Sequence, residues 1–176
     1  LCYGQTSAGK THTIFGKEGS DNPTMIGLLP RCVAYCIHCI KESPDVVEAS
    51  ITISCLEIYQ EQLKDLISPS SSTKLRIKIS PSGEPYVENL TQHFIQCSND
   101  AVKLIEIIKL NRTKMSSNSA FSSHRSNCLA CLTIKQKLSN SSSRKAKCYF
   151  GDLAGSEEGH QSQSTGIPAG DQSLST

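Results

Sequence analysis

Residues 4–11 read Gly-Gln-Thr-Ser-Ala-Gly-Lys-Thr, and this octapeptide constrains the fold more than any other stretch of the chain. It satisfies the pattern G-x-x-x-x-G-K-[ST], in which glycines and small side chains let backbone N–H groups wrap phosphate oxygens at the start of a helix. Gly4, Gln5, Thr6, Ser7, Ala8 and Gly9 would form the cradle. Lys10 would neutralise the β- and γ-phosphates, and the Thr11 hydroxyl would hold Mg²⁺. The plain alternative is a glycine-containing surface turn, but a match of this length arises by chance only rarely.

Asp152-Leu153-Ala154-Gly155 follows the short apolar strand Cys148–Phe150. In a P-loop protein this is the place for the second magnesium-side carboxylate, Asp152, reached through water, and for a glycine, Gly155, whose amide faces the γ-phosphate. D-x-x-G alone is a weak signal. Paired with the upstream loop it predicts two elements converging on one nucleotide from the ends of neighbouring strands. No Asn-Lys-x-Asp segment is present to read guanine, which weighs against a guanine nucleotide.

Between these motifs the hydrophobic spacing alternates between two periods. Leu28, Leu29, Cys32, Val33, Cys36, Ile37 and Ile40 predict an amphipathic helix from Gly27 to Lys41. Val46–Tyr59 carries β-branched residues in rough alternation and reads as a strand, followed by a short amphipathic run from Gln60 to Ile67. Leu75, Ile77 and Ile79 alternate with Arg76 and Lys78, and Pro81-Ser82-Gly83 turns this strand toward a second near Tyr86–Leu90. Ser98, Asn99 and Asp100 offer N-caps for a helix to about Asn111, with Val102, Leu104, Ile105 and Ile108 as its apolar face. Cys128–Gln136 reads as a strand and Ser139–Lys147 as a polar loop. Beyond Gly159 the tail has no core-forming pattern.

At 176 residues with 37% apolar content the chain fits one globular domain. A net charge of +2 and 19% charged residues create no field arguing for nucleic acid or a membrane surface. No run approaches the ~20 apolar residues of a membrane span, and nothing resembles a targeting segment, so an intracellular chain is expected. Nine cysteines are then expected to be reduced thiols. Cys36 with Cys39 and Cys128 with Cys131 have zinc-like spacing, but the second pair lies in a strand, where positions i and i+3 face opposite ways. Entry into the P-loop by Gly4 leaves little room for its strand and predicts an incomplete domain.

The motifs in order resemble those of kinesin motor domains. Tyr3–Gly16, YGQTSAGKTHTIFG, is similar to the kinesin P-loop and the helix that follows. Leu56–Tyr59 with Gln60–Leu66 is similar to the segment where the central sheet exits toward a short helix. Asn111-Arg112 is similar to the end of the helix before switch I, and Asp152–Glu157, DLAGSE, matches switch II. The resemblance covers about nine-tenths of the chain, and its two phosphate motifs together are specific to that family. It implies an α/β P-loop NTPase fold with a central, mostly parallel sheet flanked by helices, incomplete at both ends. It further implies ATP and Mg²⁺ as ligands, a microtubule as partner, and a cytoplasmic, cytoskeletal location. Residues 1–159 would be a partial motor domain and 160–176 a poorly matching remnant of the microtubule-binding region.

The family's switch I pattern is N-x-x-S-S-R-S-H. An ungapped count from Asn111-Arg112 puts Ser123 on its first serine, His124 on its second and Arg125 on its arginine. Ser126 takes the following serine, and Asn127 the final histidine. Ser123, Arg125, Gly155 and Glu157 are thus the catalytic residues the resemblance implies, with Arg125 pairing Glu157. His124 departs from the pattern at a position used near Mg²⁺, an ion that prefers oxygen ligands. The hairpin bearing Lys74, Arg76 and Lys78 is a candidate secondary contact to an acidic filament. Two functions remain open at this level: a microtubule motor segment, or a degenerate remnant that binds nucleotide or a partner without motor activity.

Overall fold

The computed structural model describes residues 1–17, 22–71, 73–117 and 126–156, with Pro23 and residues 114–117 described by backbone alone. Three helices, α1 (Lys10–Phe15), α2 (Leu28–Glu42) and α3 (Ser98–Ser117), cover one face of a sheet. That sheet contains β1 (Val46–Tyr59), β2 (Gln62–Asp65), β5 (His93–Ile95), β6 (Asn127–Leu138) and β7 (Ser143–Asp152). Its order is β2-β1-β6-β7, and β5 shares the outer edge of β1 with β2. A separate hairpin pairs β3 (Arg76–Ile79) with β4 (Pro85–Glu88).

The core follows from the two periods. Alternate residues Ile51, Ile53 and Cys55 of β1 and Cys128, Ala130 and Leu132 of β6 are buried in one cluster with Phe150. Against them pack Ile14 and Phe15 of α1, Leu29 and Val33 of α2, and Ala101, Leu104, Ile105 and Ile108 of α3. Val102, expected on the apolar face of α3, is exposed instead; the buried stripe runs through Ala101, one residue earlier. All nine cysteines are free thiols. Cys55 and Cys128 approach to 3.6 Å in the core, and this contact together with burial pushes the Cys55 thiol well above its ordinary range. Cys128 is buried while Cys131 lies on the other, half-covered face of β6, as the strand period requires.

The α/β P-loop class holds, but the expected mostly parallel pairing needs correction: every extended ladder among the described strands is antiparallel. The physical reason is connectivity. β1 reaches β2 and β6 reaches β7 through short turns, which permit only antiparallel neighbours. Among the described residues the one parallel contact is the bridge between Cys2 and Asp152 at the P-loop, where Cys2 N–H donates to Gly151 O at 2.7 Å and Leu153 N–H to Cys2 O at 3.2 Å.

Three local expectations are also corrected. Gln60–Leu66 does not lead into a helix. Gln60 and Glu61 both have positive φ, at 48° and 60°, as a tight hairpin turn requires, and β2 folds back on β1. Of the expected polar loop, only 139–142 is a turn, and β7 begins at Ser143; its lysines and serines lie on an exposed edge strand, where polar side chains are ordinary. Helix α3 continues past Asn111 to Ser117.

Gly27 lets α2 start against the end of α1. A Cβ there would lie 2.4 Å from Gly16 N and 2.4 Å from the Phe15 carbonyl carbon. Gly27→Ala is therefore expected to destabilise the fold by about 1–3 kcal/mol, the usual range for overpacking, read as a lower urea midpoint. At α3, the Asp100 carboxylate accepts N–H bonds from Gln96 (3.0 Å) and Cys97 (3.1 Å), and these lower its pKa. A lowered folded-state pKa contributes stability above the unfolded carboxylate range, lost as pH falls through the folded value. Asp100→Asn should lower Tm at neutral pH, and its gap to wild type should close as pH drops below about 4.

Candidate functional site

The P-loop closes on itself through backbone geometry. Gly4, Ser7 and Gly9 have φ of 142°, 65° and 84°, and Gly9 caps α1 in the left-handed region that favours glycine. Gln5 O accepts from Ala8 N–H at 3.3 Å within the loop. Lys10, on the first turn of α1, folds back so that Nζ donates to Gly4 O and Gln5 O, both at 2.7 Å. Gly4 O also accepts from Ser156 N–H at 3.2 Å, which ties the loop to the segment after β7.

Thr11 Oγ1 donates to Asp152 Oδ2 at 2.6 Å, joining residues that are 141 positions apart in the chain. The two motifs predicted to converge therefore do so. They meet around a cavity of about 200 Å³ lined in part by Ser7, Gly9, Lys10, Thr11, Asp152 and Gly155. Gln5, Thr6 and Ala8 complete the loop between these residues. Asn127 Oδ1 accepts from Ala154 N–H at 2.9 Å and holds the Asp152–Gly155 segment in place. Ser123, His124, Arg125 and Glu157 lie outside the described residues.

Sequence reasoning missed the group that organises the floor of this site. Arg112 on α3 is buried. Its Nη1 donates to Asp152 Oδ2 at 2.5 Å, its Nη2 to Ser126 O at 3.4 Å, and its Nε lies 3.8 Å from Glu57 Oε1. Glu57 is itself buried at the end of β1 and accepts from Ser126 Oγ at 2.6 Å. Burial acts to lower the Arg112 pKa, but Cys128, Asp152 and Glu57 outweigh it and hold the pKa above its ordinary value. A signal was available. Glu57 continues the core-facing series Ile51, Ile53, Cys55, and Arg112 continues the α3 stripe Ile105, Ile108. Two opposite charges on two inward-facing series predict an internal pair. Asn111 beside it donates from Nδ2 to Leu66 O at 2.9 Å.

The donor set suits a magnesium nucleotide. The loop is glycine-rich and curled by left-handed residues, an ammonium sits at its mouth, and a hydroxyl and a carboxylate lie together beneath it. Oxygen ligands of this kind are what a hard cation prefers. Lys10, Thr11 and Asp152 are the residues that would hold such a ligand. Removing Arg112 would strand Asp152 and Glu57 as buried charges, so Arg112→Ala is expected to cost about 3–5 kcal/mol in urea unfolding.

Comparison with known proteins agrees with this geometry. The family model "Kinesin motor domain" matches residues 1–173. "Kinesin-related protein 5" of Dictyostelium discoideum is 34% identical over 172 residues, covering 95% of this chain and 17% of that protein. "Kinesin heavy chain" of Caenorhabditis elegans is 34% identical over 159 residues, covering 90% of this chain and 19% of that protein. A solved structure described as "Structure of a fast kinesin: Implications for ATPase mechanism and interactions with microtubules" superposes with a TM-score of 0.83 at 28% identity. It covers 94% of this chain, which in turn spans 47% of that one. The chain thus spans less than a fifth of these curated relatives and about half of the solved chain. With a family model matching residues 1–173 and relatives 34% identical over nine-tenths or more of its length, the chain belongs to the kinesin motor domain family.

Proposed function

We propose that this chain is the nucleotide-binding part of a microtubule motor, binding MgATP on Gly4–Thr11 and coupling its hydrolysis to movement along a microtubule in the cytoplasm. The observation that carries this reading is the 2.6 Å hydrogen bond from Thr11 to Asp152, which brings the two phosphate-side motifs to one point. Residues 1–159 supply this part of the motor, and 160–176 are a poorly matching remnant of the microtubule-binding region.

Mg²⁺, when bound, would neutralise phosphate charge. Thr11 would hold the ion directly and Asp152 through water. Lys10 would turn its ammonium from the carbonyls of Gly4 and Gln5 toward the phosphates. Ser123 is assigned to switch I beside the nucleotide and the Gly155 amide to the γ-phosphate. Arg125 and Glu157 are assigned as the charge pair that would couple the two switches, an order–disorder device of known type. Catalysis rests on positioning a water and spreading phosphate charge, with no covalent intermediate. On the filament side, Lys74 and Arg76 of the β3–β4 hairpin supply a secondary basic contact. Lys78 contributes less, because it pairs with Glu88.

Lys10→Ala removes an ammonium with two charge-assisted contacts, and is expected to weaken binding of a fluorescent ATP analogue by about 100-fold. Unchanged affinity would sink the assignment. Microtubule-stimulated ATP turnover by the wild-type chain separates a motor from a remnant that binds nucleotide without stimulation.

A further inference from the structure

Past Asp152 the backbone offers the N–H groups of Leu153, Ala154, Gly155 and Ser156, and all but one are engaged. Leu153 N–H donates to Cys2 O and Ser156 N–H to Gly4 O, each at 3.2 Å. Ala154 N–H donates to Asn127 Oδ1 at 2.9 Å. Gly155 N–H has no partner among the described residues, and Gly155 lines the cavity beside Lys10, Thr11 and Asp152. A donor left open between engaged neighbours, at the wall of a cavity with an ammonium, is placed to meet an anion.

The anchors on either side of Gly155 differ in kind. Cys2 and Gly4 use carbonyls, which every residue carries, whereas Asn127 is the one side chain that accepts from residues 153–156 among the described residues. Only the amide oxygen can accept from an N–H, so this bond also fixes which way the Asn127 amide lies. The anchor is itself held. Asn127 opens β6 opposite Ile58 of β1, and its neighbour Ser126 donates to Glu57 and accepts from Arg112. Peptide groups are planar and each residue has two soft torsions. Pinning the N–H groups of Ala154 and Ser156 therefore leaves the amide between them little freedom to turn.

We propose that Asn127 is a positioning residue for triphosphate recognition: by holding Ala154 it presents the Gly155 amide to a terminal phosphate, and so lets the chain tell a nucleoside triphosphate from a diphosphate. This rests on the reading of Gly4–Thr11 as the nucleotide site with Gly155 on the γ-phosphate. A diphosphate draws on the P-loop, Lys10 and Thr11, and not on Gly155. Asp152 keeps its place without Asn127, because Thr11 and Arg112 both bind its carboxylate. Losing the Asn127 acceptor thus removes discrimination and spares the binding common to both nucleotides.

The test titrates the full chain at pH 8 in Mg²⁺ with two fluorescent ligands, a non-hydrolysable ATP analogue and ADP. Asn127→Leu keeps the branched shape and removes the acceptor. It should weaken the triphosphate by about three- to tenfold, the worth of one hydrogen bond, and leave ADP within about twofold. Asn127→Ala adds no apolar bulk and should give the same result where leucine disturbs folding. Asn127→His should restore the wild-type ratio of affinities, since the neutral ring at this pH can accept through Nδ1, as many bonds from the backbone as Oδ1. Asp100→Asn, which lowers Tm from the far end of α3, should leave that ratio unchanged and so separates positioning from general loss of stability. Equal losses of both ligands in the leucine and alanine variants, no loss in either, a histidine variant as poor as leucine, or the same change of ratio in Asp100→Asn would each overturn the inference and leave the nucleotide site standing. A wild-type chain that binds neither ligand overturns both.

Discussion

A buried arginine must be neutralised where it lies, and the site end of this molecule is built around that requirement. Arg112 meets Asp152 at 2.5 Å and stands 3.8 Å from Glu57. Losing either partner would leave an uncompensated interior charge, far costlier than losing an exposed pair. The three residues come from α3, β1 and β7, so the demand for neutrality fixes the relative positions of a helix and two strands that are not adjacent in the sheet. Thr11 attaches the P-loop to the same carboxylate oxygen that Arg112 uses. Ser126, at the mouth of β6, is held by both Arg112 and Glu57. The Gly4–Thr11 loop, Asp152 and the start of β6 are thereby parts of one electrostatic unit.

The rest of the fold keeps that unit rigid. β1 spans 14 residues and pairs with β2, β5 and β6, so its end at Glu57 is supported on both edges. Asp65, just past this end, accepts N–H bonds from Ile67, Ser68 and Thr91 and fastens the following loop to the sheet. Lys109 donates to Gly16 O at 2.7 Å, tying α3 to the last carbonyls of α1. These links run from the outside of the sheet inward to the P-loop. The chain spans about half of the solved kinesin it resembles.

Much of this was legible in the sequence, for identifiable reasons. The P-loop and DLAGSE are local patterns whose chemistry demands particular residues, so they could be read without the fold. β1 and α2 carry strong hydrophobic periods, and the strand at Val46–Tyr59 has the bounds read from its alternation. β2 and the first half of β7 are different. Their residues are polar because one face or edge meets solvent, and strand pairing, not composition, defines them. Pairing direction likewise depends on which segments become neighbours, which periodicity does not encode. Arg112 was passed over because its neighbour Asn111 reads as a helix end, and a charge at the end of an apolar stripe ordinarily points to water. Only contact with Glu57 and Asp152, 55 and 40 positions away, gives it a role.

Two of the three N–H donors of the Lys10 ammonium go to carbonyls of its own loop. If the loop takes phosphate as proposed, the incoming oxygen meets an ammonium that is already partly engaged. It must exchange places with Gly4 and Gln5, and the free energy of capture is the difference between two well-made sets of contacts. The same arrangement works in reverse: a departing phosphate leaves behind a lysine that already has somewhere to go. On the proposed function, these resting contacts lower the net phosphate affinity by the free energy they hold.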